Sequence, residues 1–178
     1  MRIISGMRKG LKLKAPDGMN TRPTTDRVKE SIFNLLQFHL PCTTVLDLFA
    51  GSGALGIEAL SRYCDRAVFV DSNRQSADLV KENLTSARLM ENASVFCMDA
   101  LSFLDSCNET FDLIFLDPPY NRGFLQPIVD KIANRNLLNE DGVIVIESEK
   151  DGEVLTNTYY TVRRVATYGK TEITVLQR

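Results

Sequence analysis

The pattern that most restricts the fold of this chain is the alternation of short apolar runs with helix-length segments from residue 44 to residue 148. The runs are TVLDLF, RAVFVD, ASVFCM, FDLIFLD and GVIVIES. Strands covered on both faces of a parallel sheet have this nearly continuous Val, Ile, Leu and Phe content. The segments around 54–62, 75–88, 99–106 and 124–136 supply the helical crossovers that parallel strands need. The alternation therefore predicts a doubly wound α/β fold.

The two ends of the chain depart from this alternation. RIIS at 2–5 and LKLKA at 11–15 flank a glycine-containing stretch and predict a small hairpin. The segment 24–38 has apolar residues at helical spacing, with Thr24 or Thr25 as a candidate cap. After Gly152, YYTVRRVATYG and KTEITVLQR are adjacent β-rich runs, which predict an antiparallel hairpin at a sheet edge. We expect one domain over 1–178.

The composition excludes several kinds of chemistry. His39 is the only histidine and the four cysteines form no CxxC pair, so histidine-based nucleophilic catalysis, a zinc cluster and a disulfide framework are not indicated. No stretch approaches the roughly 20 apolar residues of a membrane span, and no apolar segment follows the basic start. We expect a cytoplasmic protein with reduced thiols, no metal and no membrane anchor.

The charge is distributed unevenly along the chain. Eight of the 21 basic residues, but only three of the 23 acidic ones, lie within residues 1–35. A basic N-terminal extension on an acidic body favours contact with phosphate groups, although such segments are often only solvated surface. The extension spans 1–23, and the candidate RNA contacts in and just beyond it are Arg2, Arg8, Lys9, Lys12, Lys14, Arg22 and Arg27.

A glycine-rich turn follows the first predicted strand. VLDLFAGSGALGIEAL, residues 45–60, reads as strand, turn and helix, and Gly51 and Gly53 allow a sharp turn and a close approach to a ligand. With Gly56 the spacing also matches the dinucleotide fingerprint, so a nicotinamide or flavin cofactor stays open.

Acidic residues near this turn favour a cationic cofactor. Asp71 ends the next strand about 20 residues on, where a carboxylate binds the hydroxyls of an adenosine ribose. Asp47 precedes the turn and would repel a diphosphate, but it suits the sulfonium and ammonium of S-adenosylmethionine. Asp99 follows the third run and either binds an adenine amino group or caps a helix. The full set of candidate cofactor contacts is Asp47, Phe49, Gly51, Ser52, Gly53, Asp71, Ser72, Asp99 and Ala100.

The fourth run ends in Asp117, Pro118, Pro119 and Tyr120, which we take as the catalytic motif. Two prolines fix the backbone and leave carbonyls free to accept hydrogen bonds. The Asp117 carboxylate and the Pro118 carbonyl can hold an exocyclic amino group of a base, and positioning then supplies much of the rate. Tyr120 offers a face on which an extruded base can stack. No metal ion and no covalent enzyme intermediate is needed.

Taken together, these blocks resemble the bacterial guanine-N2 methyltransferases of small-subunit ribosomal RNA, the RsmD family. The resemblance covers nearly the whole chain and rests on RIISGMRKGLKL, RPTTDRVKESIFN, DLFAGSGALGIEALSR, FVDSN, DLIFLDPPY and YGKTEITVL. It implies a Rossmann-like class I methyltransferase with a mostly parallel seven-stranded sheet, a C-terminal antiparallel hairpin and a small N-terminal hairpin. It also implies that the glycine loop holds S-adenosylmethionine, that Asp71 binds its ribose and that 117–120 hold the target amine.

Ribosomal RNA, within a small-subunit assembly particle, is the partner that the resemblance implies for a monomeric enzyme. Other readings remain open at this point. DPPY-type motifs are also typical of DNA adenine and protein glutamine methyltransferases, although the chain shows no evident target-recognition domain for DNA. A nicotinamide-dependent oxidoreductase would leave 117–120 without a role, and a catalytically silent RNA chaperone would not need Asp117.

Overall fold

The computed structural model describes residues 1–16, 26–119, 123–150, 152, 155–156 and 159–178. Its strands are β1 (Thr44–Asp47), β2 (Arg66–Asp71), β3 (Ala93–Cys97), β4 (Phe111–Leu116), β5 (Leu138–Glu149), β6 (Thr161–Tyr168) and β7 (Thr171–Gln177). Its helices are α1 (Asp26–Leu35), α2 (Ala54–Ser61), α3 (Arg74–Ala87), α4 (Ala100–Ser106) and α5 (Leu125–Asn134). Within these residues no helix has both the length and the apolar character of a membrane span.

All of these strands lie in one sheet, in the order β3-β2-β1-β4-β5-β7-β6. The first five pair in parallel, and β7 pairs antiparallel with both β5 and β6. The predicted α/β class, the parallel core and the C-terminal antiparallel hairpin are therefore confirmed. Because β1 to β4 each lead into a helix that returns along the sheet, their carboxyl ends gather at one edge.

Two strands differ from the sequence prediction. β5 begins at Leu138, before the expected GVIVIES run, because Leu138 pairs with Phe111 and the register then shifts so that Val143 pairs with Leu113. The intervening residues form an irregularity that the apolar pattern does not reveal. β3 is half-buried to exposed along its length, since it is an edge strand with one paired neighbour.

The apolar core lies on both faces of the sheet. Alternate strand residues face opposite sides, so Val45, Phe69, Leu113, Phe115 and Val145 join α1, α2 and α3 on one face. Leu46, Val70, Ile114 and Ile146 join α4 and α5 on the other. The odd-numbered residues of β1, β2, β4 and β5 thus point to the side that α2 covers.

The N-terminal hairpin is present, but it forms an isolated bridge between Arg2 and Lys12 rather than regular strands. Backbone bonds from Ile3 N to Leu11 O (2.9 Å) and from Gly10 N to Ile3 O (2.8 Å) close it. We refer to residues 1–14 as the N-terminal arm. The arm lies against α2 and α3. Asn83 of α3 accepts a hydrogen bond from the Lys14 N–H at 2.9 Å, and the contacts with α2 are made through Glu58.

A buried ion pair holds the arm to the body. Glu58 of α2 accepts hydrogen bonds from the backbone of Ile4 (2.8 Å) and Ser5 (3.0 Å). Lys29 of α1 lies 3.1 Å from the Glu58 carboxylate and donates to the Arg2 carbonyl at 2.6 Å. Burial lowers the pKa of Lys29, and the adjacent Glu58 charge opposes that shift. The pair thus joins two helices to the arm.

Neutralising Glu58 should destabilise the protein strongly. Glu58→Gln leaves Lys29 buried without its counter-charge, and breaking a buried ion pair in this way costs about 3 to 5 kcal/mol. We expect a loss of that size in the free energy of unfolding measured in urea. Asp78→Asn, which removes an exposed partner of Arg74, should cost no more than about 0.5 kcal/mol. Equal effects of the two variants would contradict a structural role for the buried pair.

Candidate active site

The glycine turn joins β1 to α2 at the carboxyl edge of the sheet. Gly51 and Gly53 have φ values of 55° and 78°, in the left-handed region that favours glycine. A Cβ added at Gly51 would meet nothing within 4 Å, so the space above this residue is open to a ligand. A Cβ at Gly56 would lie 2.3 Å from the Phe69 ring. The third glycine therefore serves the packing of α2 on β2.

Asp71, the last residue of β2, fixes the shape of this turn. One of its carboxylate oxygens accepts from the Gly51 N–H at 2.8 Å, and the other accepts from the Asn73 N–H at 2.8 Å. A carboxylate oxygen has a further lone pair for another donor. Asp71 can therefore hold the turn and still accept hydrogen bonds from two hydroxyl groups of a ligand.

Asp47, the last residue of β1, is buried beneath the turn and 3% exposed. Its carboxyl accepts from the Gly56 N–H at 2.9 Å. Burial raises the pKa of Asp47 to about 7; the Gly56 hydrogen bond opposes the shift and the charge of Asp71 adds to it. The group is thus close to half-protonated at neutral pH, and a nearby cation would favour its ionised form.

Asp117 follows β4 at the same edge and leads into a buried Pro118 and an exposed Pro119. Desolvation of the carboxyl group raises the pKa of Asp117 well above its ordinary value, and the charges of Glu147 and then Asp47 raise it further. A carboxyl group with a raised pKa is a better proton acceptor once it is ionised. Asp117 can therefore accept both hydrogen bonds and a proton.

Glu147, near the end of β5, is the acidic residue that the sequence interpretation missed. It is 5% exposed and lies beside Asp117, because Leu116 pairs with Ile146 in the parallel register. The signal was available, since Glu147 ends an apolar run just as Asp71 and Asp117 do. Across four neighbouring strands, β2, β1, β4 and β5, the carboxyl edge presents Asp71, Asp47, Asp117 and Glu147. We call these four residues the carboxylate row.

The carboxylate row determines which ligands the edge can hold. Its members are positioned to repel one another, as the pKa shifts of Asp47 and Asp117 indicate. A diphosphate placed here would add repulsion, whereas a ligand with positive charge would reduce it. The donor and acceptor set therefore fits a cationic cofactor better than a dinucleotide.

Phe49 and Ser52 contribute to the turn in different ways. Phe49 is half-buried, and its ring lies 6.4 Å from the Phe124 ring. The Ser52 hydroxyl lies 4.0 Å from the Met1 sulfur, and its carbonyl accepts from the Asn83 side chain at 2.9 Å. Ser52 thus faces the N-terminal arm, and Asn83, which the sequence interpretation did not single out, joins the arm to the glycine turn.

The remaining predicted cofactor residues lie after β2 and β3. Ser72 is exposed, and Ala100 is buried at the start of α4. Asp99 caps α4 by accepting from the Ser102 N–H at 3.1 Å, as one of the two sequence interpretations proposed. Its side chain is exposed, so the cap leaves it accessible to a ligand. Tyr120 and Arg22 lie outside the described residues, as do Thr24 and Thr25.

The predicted RNA contacts that the structure describes do not gather around the carboxylate row. Arg2 pairs with Asp26 at 3.2 Å and Lys14 pairs with Glu82 at 2.8 Å, although both basic side chains are well exposed. Lys9 and Lys12 of the arm and Arg27 of α1 are also exposed. The basic residues of the arm follow α3, which at 1.5 Å per residue extends over roughly 20 Å. The basic surface thus runs from the glycine turn toward the amino edge of the sheet.

A cleft of about 400 Å³ lies at the far end of the arm, lined by Arg8, Lys9, Leu11, Ser86, Ala87 and Arg88. Three of these residues are basic. The Nε atom of Arg8 is buried and has no hydrogen-bond partner within the described part of the chain. An unsatisfied buried donor of this kind is unfavourable, and an anionic ligand would satisfy it.

Comparisons with known proteins agree with this geometry. Residues 1–177 match the family described as Conserved hypothetical protein 95. YlbH of Bacillus subtilis is 43% identical, covering 100% of this chain and 99% of its own length. Ribosomal RNA small subunit methyltransferase D of Escherichia coli K12 is 38% identical, over 88% of this chain and 78% of its own length. The solved structure of yhhF from Escherichia coli aligns with a TM-score of 0.90 at 34% identity, over 100% and 97% of the two chains.

Burial of Asp47 should make the ligand-free protein less stable as the pH rises. Its pKa is about 7 in the folded state and about 3.9 when unfolded. The raised folded pKa means that this contribution to stability is complete below pH 4 and is lost as the pH passes through 7. We expect about 2 to 3 kcal/mol of loss between pH 5 and pH 8 in chemical denaturation. Asp47→Asn should flatten that part of the curve, and an unchanged slope would contradict the assignment.

Proposed function

This chain belongs to the family described as Conserved hypothetical protein 95, and we propose that it is an S-adenosylmethionine-dependent methyltransferase of ribosomal RNA. Its target is the exocyclic N2 amine of a guanine in the small subunit. The single observation that carries the proposal is the carboxylate row beside the open glycine turn, in which Asp117 leads into a buried Pro118. The Escherichia coli K12 relative, 38% identical and named as a small-subunit ribosomal RNA methyltransferase, supports ribosomal RNA as the substrate.

The turn and the row provide the parts that the cofactor needs. Gly51 leaves open space, Asp71 accepts from ribose hydroxyls, and Asp47 lies where a positive charge is favoured. When bound, S-adenosylmethionine supplies a methyl carbon made electrophilic by its sulfonium. Its positive charge favours ionised Asp47 and Asp117, which burial otherwise disfavours.

Asp117 and Pro118 act on the nucleophile. An exocyclic amine of guanine is a weak nucleophile because its lone pair is delocalised into the ring. Hydrogen bonds to the Asp117 carboxylate and the Pro118 carbonyl fix the amine and direct its lone pair at the methyl carbon. As the new bond from nitrogen to carbon forms, the nitrogen must lose a proton, and the raised pKa of Asp117 makes its carboxylate a suitable acceptor.

The two residues that follow Pro118 complete the proposed motif. Pro119 is exposed and, like Pro118, has no N–H, so the backbone here presents acceptors rather than donors. The stacking role of Tyr120 against the extruded base stays a prediction. Such stacking would replace part of the stacking energy that the target base loses when it leaves the neighbouring bases.

The alternative activities are supported less well. A nicotinamide-dependent oxidoreductase would place a diphosphate beside the carboxylate row, and Asp117 would have no function. DNA adenine and protein glutamine methyltransferases would share the chemistry, but the Escherichia coli K12 relative is named as a ribosomal RNA methyltransferase. A catalytically silent chaperone would have no need for a buried acidic site.

We propose that residues 1–178 act as one domain and that 1–23 form an RNA-binding extension. The exposed Lys9 and Lys12, together with the basic cleft at Arg8, would contact phosphates along the length of α3. The protein would act as a monomer, in the cytoplasm, on an assembling small subunit. The proposed chemistry requires no metal ion.

Asp117→Ala should strongly slow methyl transfer while preserving the fold. Labelled S-adenosylmethionine is supplied to small subunits that lack the modification, and the labelled nucleoside and its position are identified. The wild type should yield N2-methylguanosine, and Asp117→Ala should lower the rate at least about 100-fold because both positioning and proton acceptance are lost.

Asp105→Ala is the matched control for that experiment. Asp105 is an exposed residue of α4 that pairs with Lys131, so its loss should leave the rate unchanged. Label in a different nucleoside, or full activity of Asp117→Ala, would contradict the proposed reaction.

Replacing Lys9 and Lys12 together by Ala should weaken the dependence of RNA affinity on salt. Each lost phosphate contact should lower the slope of log affinity against log salt by about 1. The measurement is a titration of small-subunit RNA at increasing salt. Lys150→Ala with Lys170→Ala, two exposed cations near the β6–β7 hairpin, is the control of equal charge. An unaltered slope in the Lys9 and Lys12 variant would exclude the arm as the part of the protein that binds RNA phosphates.

A further inference from the structure

Glu147 is a buried acid whose presence the methyl-transfer chemistry above does not require. Its side chain is 5% exposed and lies beside Asp117 on one side, while Ile173 of β7 pairs with it on the other. The charge of Glu147 also raises the pKa of Asp117, so the second carboxyl group makes ionisation of the first more costly. Two adjacent acids at the edge that holds the substrate point to a role in binding it.

The geometry places Glu147 and Asp117 on one side of the sheet. They follow the paired residues Ile146 and Leu116 of adjacent parallel strands, and in-register residues of neighbouring strands have the same orientation. Such strands lie about 4.8 Å apart. Two carboxylates at that spacing are close enough to contact the same planar base along one edge.

The hydrogen-bonding edge of guanine fits two adjacent acceptors. Guanine presents two neighbouring donors, the N1–H and the N2 amine. In adenine and cytosine the exocyclic amine lies next to a ring nitrogen that has a lone pair and no hydrogen. A carboxylate facing that lone pair would have no donor and would be repelled, whereas facing guanine it gains a charge-assisted hydrogen bond.

We propose that Glu147 accepts the N1–H of the target guanine while Asp117 and the Pro118 carbonyl hold its N2 amine. This inference rests on the proposed function and adds the residue that selects the base. Glu147 then contacts the substrate directly and makes the site reject bases whose amine neighbours an unprotonated ring nitrogen. Sites built to hydrogen-bond a donor of the substrate discriminate strongly against analogues that lack it.

The test compares guanine with 2-aminopurine, which keeps the 2-amine but has no hydrogen on N1. Small subunits are reconstituted with either base at the position labelled by the wild-type enzyme, and kcat/KM is measured for each. The wild type should prefer guanine by at least about 10-fold. In Glu147→Gln the side-chain amide can donate to N1 of 2-aminopurine, so the ratio of the two kcat/KM values should fall by about 10- to 100-fold.

Two further variants separate base selection from a structural effect. Glu147→Asp keeps a carboxylate and should retain the preference for guanine even if both rates fall. Glu140→Gln, an exposed position at the other end of β5, should match the wild type. Calorimetric binding of S-adenosylmethionine to each variant reports whether the glycine turn is intact.

The outcomes are distinguishable. Equal methylation of guanine and 2-aminopurine by the wild type would overturn the inference without any variant. The inference would also be overturned if Glu147→Gln lowered the rates with guanine and 2-aminopurine equally or left both rates unchanged. Labelling of a nucleoside other than guanosine by the wild type would instead refute the proposed function, and the inference with it.

Discussion

Repulsion among buried carboxylates is the constraint on which the site depends. Two unit charges about 5 Å apart repel by about 3 kcal/mol at an effective dielectric constant of 20, and the carboxylate row spans four adjacent strands. Burial and these charges raise the pKa values of Asp47 and Asp117. The ligand-free protein reduces the repulsion by holding protons. A bound cation would do the same without protons, so binding of a cationic cofactor would be linked to ionisation of Asp117.

The N-terminal arm is held to the body by a buried ion pair and to this edge by an asparagine side chain. Glu58 and Lys29 hold the start of the arm, and Asn83 joins Lys14 to the carbonyl of Ser52 in the glycine turn. The arm therefore supports the glycine turn and is also a basic surface. RNA bound along the arm would contact the element that shapes the turn, which would give a physical route from RNA binding to the carboxyl edge of the sheet.

Much of the fold could be predicted because its signals are local. Apolar runs mark buried parallel strands, and the glycine turn and the acids at strand ends mark the carboxyl edge. The early start of β5 at Leu138 could not be predicted, since a register shift depends on the partner strand. The Lys29 and Glu58 ion pair could not be predicted either, because its residues are 29 positions apart in the sequence. Glu147 could have been found, because it ends an apolar run of the sequence as Asp117 does.

The most direct test of the account is calorimetric titration of the purified protein with S-adenosylmethionine and, separately, with NADH near pH 7. Repeating each titration in buffers of different ionisation enthalpy measures the protons released. We expect S-adenosylmethionine to bind with net proton release, because its positive charge lowers the pKa of Asp47 and Asp117, and we expect no binding of NADH. Binding of NADH with indifference to S-adenosylmethionine would contradict it.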